Sequence, residues 1–103
     1  AIDAAGEEVA GEHGRHLVLR VRPHAERRLL LTGHMDTVFP ADHPFQTVQH
    51  RDDGTVNGPG TADMKGGLCV ILHALQAFES TPDAARIGYD VMINSDEETG
   101  SLA

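Results

Sequence analysis

Five residues of this chain, His34, Asp36, Asp63, Glu97 and Glu98, have side chains that bind metals or move protons. They lie in three short stretches: Gly33-His34-Met35-Asp36-Thr37-Val38, Gly58-Pro59-Gly60-Thr61-Ala62-Asp63-Met64-Lys65-Gly66-Gly67 and Asp96-Glu97-Glu98-Thr99-Gly100-Ser101. Each stretch falls where an apolar, strand-like run gives way to a loop. An imidazole and several carboxylates gathered in one place repel one another unless a multivalent cation sits among them. The chemistry these residues suit is metal-assisted hydrolysis.

Each residue also has an ordinary explanation. His34 and Asp36 are two apart, so in an extended segment they point the same way and Asp36 can orient the imidazole. The alternative is a histidine at a strand end followed by a turn-forming Asp. Asp63 sits among glycines that permit a close backbone approach and an abrupt helix start, and a plain helix cap is its alternative role. Glu97 and Glu98 are neighbours and in an extended segment face opposite ways. That arrangement divides their labour between holding a metal and moving the proton of a water. An acidic surface loop is the competing reading.

Other chemistries fail on the letters. A phosphate loop needs Gly where Asp63 or Met64 stands, and an anionic Asp there repels phosphate. Neither G-x-S-x-G nor H-E-x-x-H occurs, which removes the serine-hydrolase elbow and the common zinc-protease helix. Adjacent glutamates do not suit glycoside hydrolysis, whose two carboxylates flank the substrate. Cys69 and His73 are spaced i, i+4, but Cys69 lies among Leu68, Val70 and Ile71 and reads as a buried, inert thiol. His13, His16, His24, His43 and His50 are scattered in polar surroundings and suggest no role. Asp96 reads as a turn former.

The elements that must position these residues follow from the hydrophobic pattern. Ala1 to Ala10 has helical composition, ended by Gly11 and Gly14. His16 to Val21 alternates as a strand, and Arg28 to Thr32 forms a second one. The apolar run Leu29-Leu30-Leu31 is typical of a strand covered on both faces. Met35 to Pro44 is loop. Phe45 to Arg51 and Thr55 to Asn57 flank Asp52-Asp53-Gly54, a strong hairpin signal. Lys65 to Glu79 is the clearest helix, with Leu68, Ile71, Leu72, Leu75 and Phe78 on one face. Ser80 to Ala85 is a turn, and Ile87 to Asn94 alternates as a strand that ends at the acidic motif.

This order predicts an α/β fold: a partial, mostly parallel sheet with one crossover helix. Ligands in such sheets gather at the C-terminal strand ends, where His34 and Glu97-Glu98 fall, with Asp63 just before the helix that links those strands. One helix cannot cover both sheet faces, so apolar surface should be left exposed.

At 103 residues the chain suits one domain at most. The net charge of −8, from 16 acidic and 8 basic residues, argues against a nucleic-acid partner. No apolar window reaches the length of a membrane span. The single cysteine excludes an internal disulfide.

In this order and spacing the three motifs resemble the co-catalytic zinc peptidases of the M20 family, most closely the glutamate carboxypeptidase (carboxypeptidase G2-like) branch. The resemblance runs from Leu29 to Leu102 and implies the catalytic domain of a di-zinc peptidase with a phosphorylase/hydrolase-like fold. It makes His34 a ligand of one zinc, Asp63 the carboxylate bridging both metals and Glu98 a ligand of the other. Glu97 becomes the general base and Asp36 the residue that orients His34. A cis peptide bond at Asp63-Met64 is implied as well. The implied cofactors are two Zn²⁺, with Co²⁺ or Mn²⁺ as substitutes. The implied reaction is hydrolysis of a peptide or N-acyl amide bond in a small peptide or N-acyl amino acid.

Parts of the family pattern have no counterpart here: a further acidic ligand, a final His ligand, and a lid and dimerisation domain. Residues 1–103 are therefore expected to be an incomplete N-terminal part of the catalytic domain, inactive alone, from a full-length homodimer. The alternatives are an M20-type deacylase or di- or tripeptidase and, from another class, a catalytically dead binding domain.

Overall fold

The computed structural model describes residues 5–11 and 14–100. Seven elements follow in chain order: β1 (Ala5–Gly11), β2 (Gly14–Val21), β3 (Arg27–His34), β4 (Gln49–His50), β5 (Val56–Asn57), α1 (Gly66–Glu79) and β6 (Ile87–Asn94). Short helical turns occupy Thr61–Lys65, Pro82–Arg86 and Glu97–Thr99.

Four strands form one sheet in the order β1-β2-β6-β3. The pair β3–β6 is parallel, with Arg27 opposite Ile87 and His34 opposite Asn94. Because β3 and β6 run the same way, their C-terminal ends lie side by side. The chain between them crosses over through the β4–β5 hairpin and α1, as a parallel pair requires. The α/β class expected from the sequence holds. The balance of pairings differs, because β1–β2 and β2–β6 are antiparallel and only one of this sheet's three described pairings is parallel.

The departure begins at the N-terminus. The segment expected to be helical is strand β1 from Ala5 onward, while Ala1–Ala4 lie outside the described residues. Its helical composition is overridden by register: Val9 opposes His16 and Gly11 opposes Gly14 in an antiparallel ladder. Propensity is a weak prior against such pairing. Along β1–β2, Glu8–Arg15 and Glu7–Arg20 form exposed ion pairs at 2.7 Å each.

The core lies between α1 and one face of the sheet. Val21, Tyr89 and Val91 are buried, with Leu19, Leu31, Ile71, Leu75, Phe78 and Ile93 packed around them. Full burial of a side chain such as Val21 contributes about 1.5–3 kcal/mol. The helix stops where Ser80 and Thr81 return their hydroxyls to the carbonyls of Ala77 and Phe78, and Pro82 follows.

Three smaller expectations also change. Leu29 and Leu30 are 62% and 65% exposed, because β3 is an edge strand and α1 reaches only Leu31. Cys69 is exposed rather than buried, because it lies on the side of α1 away from the sheet. The β4–β5 ladder is shorter than the segments expected to form it, pairing only Gln49–Asn57 and His50–Val56. Its Asp53 carboxylate accepts hydrogen bonds from the Thr55 N–H and hydroxyl.

The expected exposed apolar surface is present. Val9, Leu30 and Met92 line an open face with Val18, and all four are placed by strand alternation opposite the α1 side. Among the described residues, no helix is long and apolar enough to cross a membrane.

Candidate metal centre

The parallel register delivers two chain segments to one edge of the sheet. His34 is the last residue of β3 and lies opposite Asn94, the last residue of β6. The Met35 N–H continues the ladder to the Asn94 carbonyl at 2.8 Å. His34 is 6% exposed at this edge, so its ring is fixed by its surroundings.

The third segment arrives through the turn before α1. Gly60 has φ 71°, and a Cβ there would lie 2.7 Å from the Thr37 methyl, so only glycine fits. The backbone then leaves helical geometry at Asp63 (φ −123°, ψ 90°) and Met64 (φ −134°, ψ 40°), and the Asp63–Met64 peptide bond is cis. This presents the Asp63 carboxylate toward His34. Its alternative as a helix cap fails, because Lys65 holds the cap position and no side chain caps α1.

The resulting geometry is compact. His34 Nε2 lies 2.9 Å from Asp63 Oδ1 and 3.7 Å from Glu97 Oε2. Its Nδ1 lies 3.0 Å from the Asp36 carbonyl and 3.4 Å from Asp36 Oδ1. Both ring nitrogens thus face acceptors, Nδ1 the Asp36 oxygens and Nε2 the carboxylates of Asp63 and Glu97. Ligand atoms of His34, Glu97 and Glu98 all lie within 4.8 Å of one another.

Two features differ from the expectation. Glu97 and Glu98 do not face opposite ways, because Glu97–Thr99 is a tight helical turn rather than extended chain. Asp36 also does more than accompany the imidazole. Its Oδ1 accepts the Glu97 N–H at 3.2 Å and its Oδ2 accepts the Glu98 N–H at 2.8 Å. One carboxylate therefore ties the acidic turn to the end of β3. The only hint in the sequence was the position of Asp36 just past a strand, and its partners lie 61 and 62 residues away.

The electrostatics follow from this crowding. Burial alone would lower the His34 pKa, but the hydrogen bonds to Asp63 and the Asp36 carbonyl, with the charge of Glu97, raise it. For Asp36, burial pushes upward and is outweighed by the backbone N–H groups of Glu98 and Glu97, so its pKa falls. Glu98 is raised by burial first, then by the negative charges of Asp63 and Glu97. Its Oε1 is buried with no hydrogen-bond partner. An imidazole nitrogen, neighbouring carboxylates and one orphaned carboxylate oxygen form a donor set that fits zinc or a similar divalent ion.

Beside these groups runs an open groove of about 200 Å³, lined by Thr37, Val38, Phe39, Gly58, Gly60, Thr61, Ala62, Asp63 and Glu98. A second cavity of about 100 Å³ lies between α1 and the sheet, lined by Tyr89 and aliphatic side chains, and is a packing gap in the core.

Residues 30–103 match the family model described as peptidase family M20/M25/M40, which is more than half of the chain. The chain belongs to this family. Among curated proteins, it is 36% identical over 93 residues to carboxypeptidase G2 of Pseudomonas sp. (strain RS-16), covering 86% of this chain and 21% of that protein. It is also 36% identical over 99 residues to acetylornithine deacetylase of Salmonella arizonae, covering 90% of this chain and 24% of that protein. The chain thus spans under a quarter of the length of these relatives. M20 proteins are metal-dependent, in keeping with the donor set above.

Proposed function

We propose that the full-length protein is a metal-dependent hydrolase of peptide or N-acyl amide bonds, of the carboxypeptidase type. The observation that carries this reading is the convergence of His34, Asp63, Glu97 and Glu98 at one sheet edge in a chain of the M20 family. His34, Asp63 and Glu98 are the proposed metal ligands, for two Zn²⁺ ions with Co²⁺ or Mn²⁺ as substitutes. Bound ions would polarise the scissile carbonyl and acidify a water.

The other roles belong to the chain itself. Asp36 holds the His34 ring through Nδ1 and fixes the acidic turn through two backbone amides. Glu97 is the proposed general base: its Oε2 takes a proton from the attacking water and returns it to the leaving amine. The water oxygen bonds to the carbonyl carbon, the C–N bond breaks, and an acid and an amine leave. The groove beside Asp63 and Glu98 would hold the part of the substrate next to that bond.

The short span relative to its relatives supports a further part of the reading. Residues 1–103 form part of the catalytic domain, while the remaining ligands, a lid and a dimerisation domain lie elsewhere in the full-length protein. Alone, these residues would not hold two metals tightly. A deacylase or di- or tripeptidase uses the same chemistry, and the acetylornithine deacetylase relative keeps that reading alive.

The test is a panel of N-acyl amino acids and short peptides, assayed with the full-length protein before and after chelation. Release of a C-terminal residue, lost with chelator and restored by Zn²⁺, is expected. Cleavage confined to N-acyl groups of free amino acids would favour the deacylase. No turnover of any amide, despite bound metal, would leave a binding domain.

A further inference from the structure

We propose that His16 is a positioning residue for the Glu97–Glu98 turn, an inference that rests on the hydrolase reading above. Strand β6 lies between β2 and β3, so the turn leaving it can be held from both sides. From the β3 side, Asp36 accepts the Glu97 and Glu98 amides. From the β2 side, His16 Nδ1 accepts the Ser95 N–H at 3.2 Å, across 79 residues of sequence.

Because Nδ1 accepts, the ring hydrogen sits on Nε2, which faces Asp96 Oδ2 at 4.0 Å. The side chain of Asp96 is 2% exposed and that of His16 15% exposed, so both are held by packing. The Asp96 carbonyl in turn accepts the Thr99 N–H and hydroxyl at 3.2 and 2.8 Å. The start of β2 also presses on this segment, since a Cβ at Gly14 would lie 2.8 Å from Ser95 Oγ.

One rigid ring thereby meets both residues that precede the two glutamates. Its two nitrogens have a fixed separation, so Ser95 and Asp96 are located relative to the sheet and not only to each other. Small shifts at this point would displace the Glu97 and Glu98 carboxylates from His34. The sequence gives no sign of this role, because His16 stands alone in an alternating strand.

The test compares three variants of the full-length protein. His16→Leu removes both contacts, His16→Asn keeps an acceptor near the Nδ1 position, and His16→Gln keeps a donor near the Nε2 position. For His16→Leu, kcat should fall about 10–100-fold, the range for residues that orient metal-site groups, with KM nearly unchanged. Amide hydrogen exchange at Ser95–Gly100 in the metal-free protein should quicken, and the visible spectrum of the Co²⁺-loaded protein should change. His16→Asn should recover part of both the exchange protection and kcat.

Unchanged kcat, exchange and spectrum in His16→Leu would overturn the proposal. So would a loss explained wholly by a lower Tm, with no recovery in His16→Asn. If His16→Leu does not fold, the order His16→Asn and His16→Gln below wild type decides in the same way. Absence of metal-dependent hydrolysis in the wild type would instead overturn the hydrolase reading, which separates the two failures.

Discussion

The two ends of the sheet handle charge in opposite ways. At one end, Arg22 donates to both carboxylate oxygens of Glu79 at 2.8 and 2.7 Å and through Nε to the Ile87 carbonyl at 2.7 Å. Its guanidinium also lies 5.7 Å from the centroid of the Tyr89 ring. This end joins β2, the last turn of α1 and the start of β6, with charge matched by charge. At the other end, one imidazole faces Asp63, Glu97 and Glu98, and among the described residues no Lys or Arg ion pair offsets them. Balanced charge makes a clasp. Crowded negative charge, with Glu98 Oε1 left unsatisfied, stores a demand for a cation.

The contrast predicts that perturbing one end destroys chemistry while perturbing the other costs stability. The largest effect should come from His34→Ala in the full-length protein. Its Zn²⁺ affinity, measured by competition with a chromogenic chelator, should fall by more than about 100-fold, the upper range for residues that merely orient a ligand. Retention of wild-type affinity would remove His34 from the ligand set.

Glu97→Gln comes next and separates proton transfer from metal binding. The loss in kcat should be about 10²–10⁴-fold, with metal content unchanged by elemental analysis. Since Glu97 also lies within the metal-binding cluster, a parallel loss of metal would make it a ligand rather than a base.

Asp36→Ala should have a smaller effect, about 10–100-fold on metal affinity or kcat. It removes the acceptor of two backbone amides as well as a neighbour of the His34 ring. Faster amide exchange at Glu97 and Glu98 would mark its part in holding the turn.

Glu79→Gln at the opposite end should leave kcat untouched and lower stability by about 1.5–3 kcal/mol, as for a hydrogen bond to a charged group. Chemical denaturation reads this loss. Its pH dependence has a defined sign. The Arg22 hydrogen bond, opposed by burial and aided by Arg22 charge, holds the Glu79 pKa below its ordinary value. The unfolded chain thus binds more protons, and stability rises with pH across that window. The clasp is at full strength above about pH 4.3, the ordinary Glu value, and fades as pH falls through the lowered native value. In Glu79→Gln this acid dependence should disappear.

The elements nearest the site were the most legible in the sequence. Strand β6 runs over Ile87–Asn94 as its alternation indicates, and α1 begins one residue after the expected start. Both carry strong, local patterns bounded by turns. Strand β1 is not legible in the sequence, because its Ala and Glu content favours a helix and only the pairing with β2 makes it a strand. The exposure of Leu29, Leu30 and Cys69 was equally hidden, since it depends on which faces α1 covers.

Sequence alone determined the residue types of the site: an imidazole, a glycine-framed Asp and a pair of glutamates, each at the end of a regular element. Residue chemistry and hydrophobic period are local properties, and the one-dimensional string contains both. Only the tertiary structure decided that β3 and β6 are parallel neighbours, which puts His34 beside the acidic turn. It alone revealed that Asp36 and His16 grip that turn from two flanking strands. Such contacts arise between backbone amides and side chains far apart in sequence, and the energies that select them are set by pairing and packing, which no local window of residues encodes.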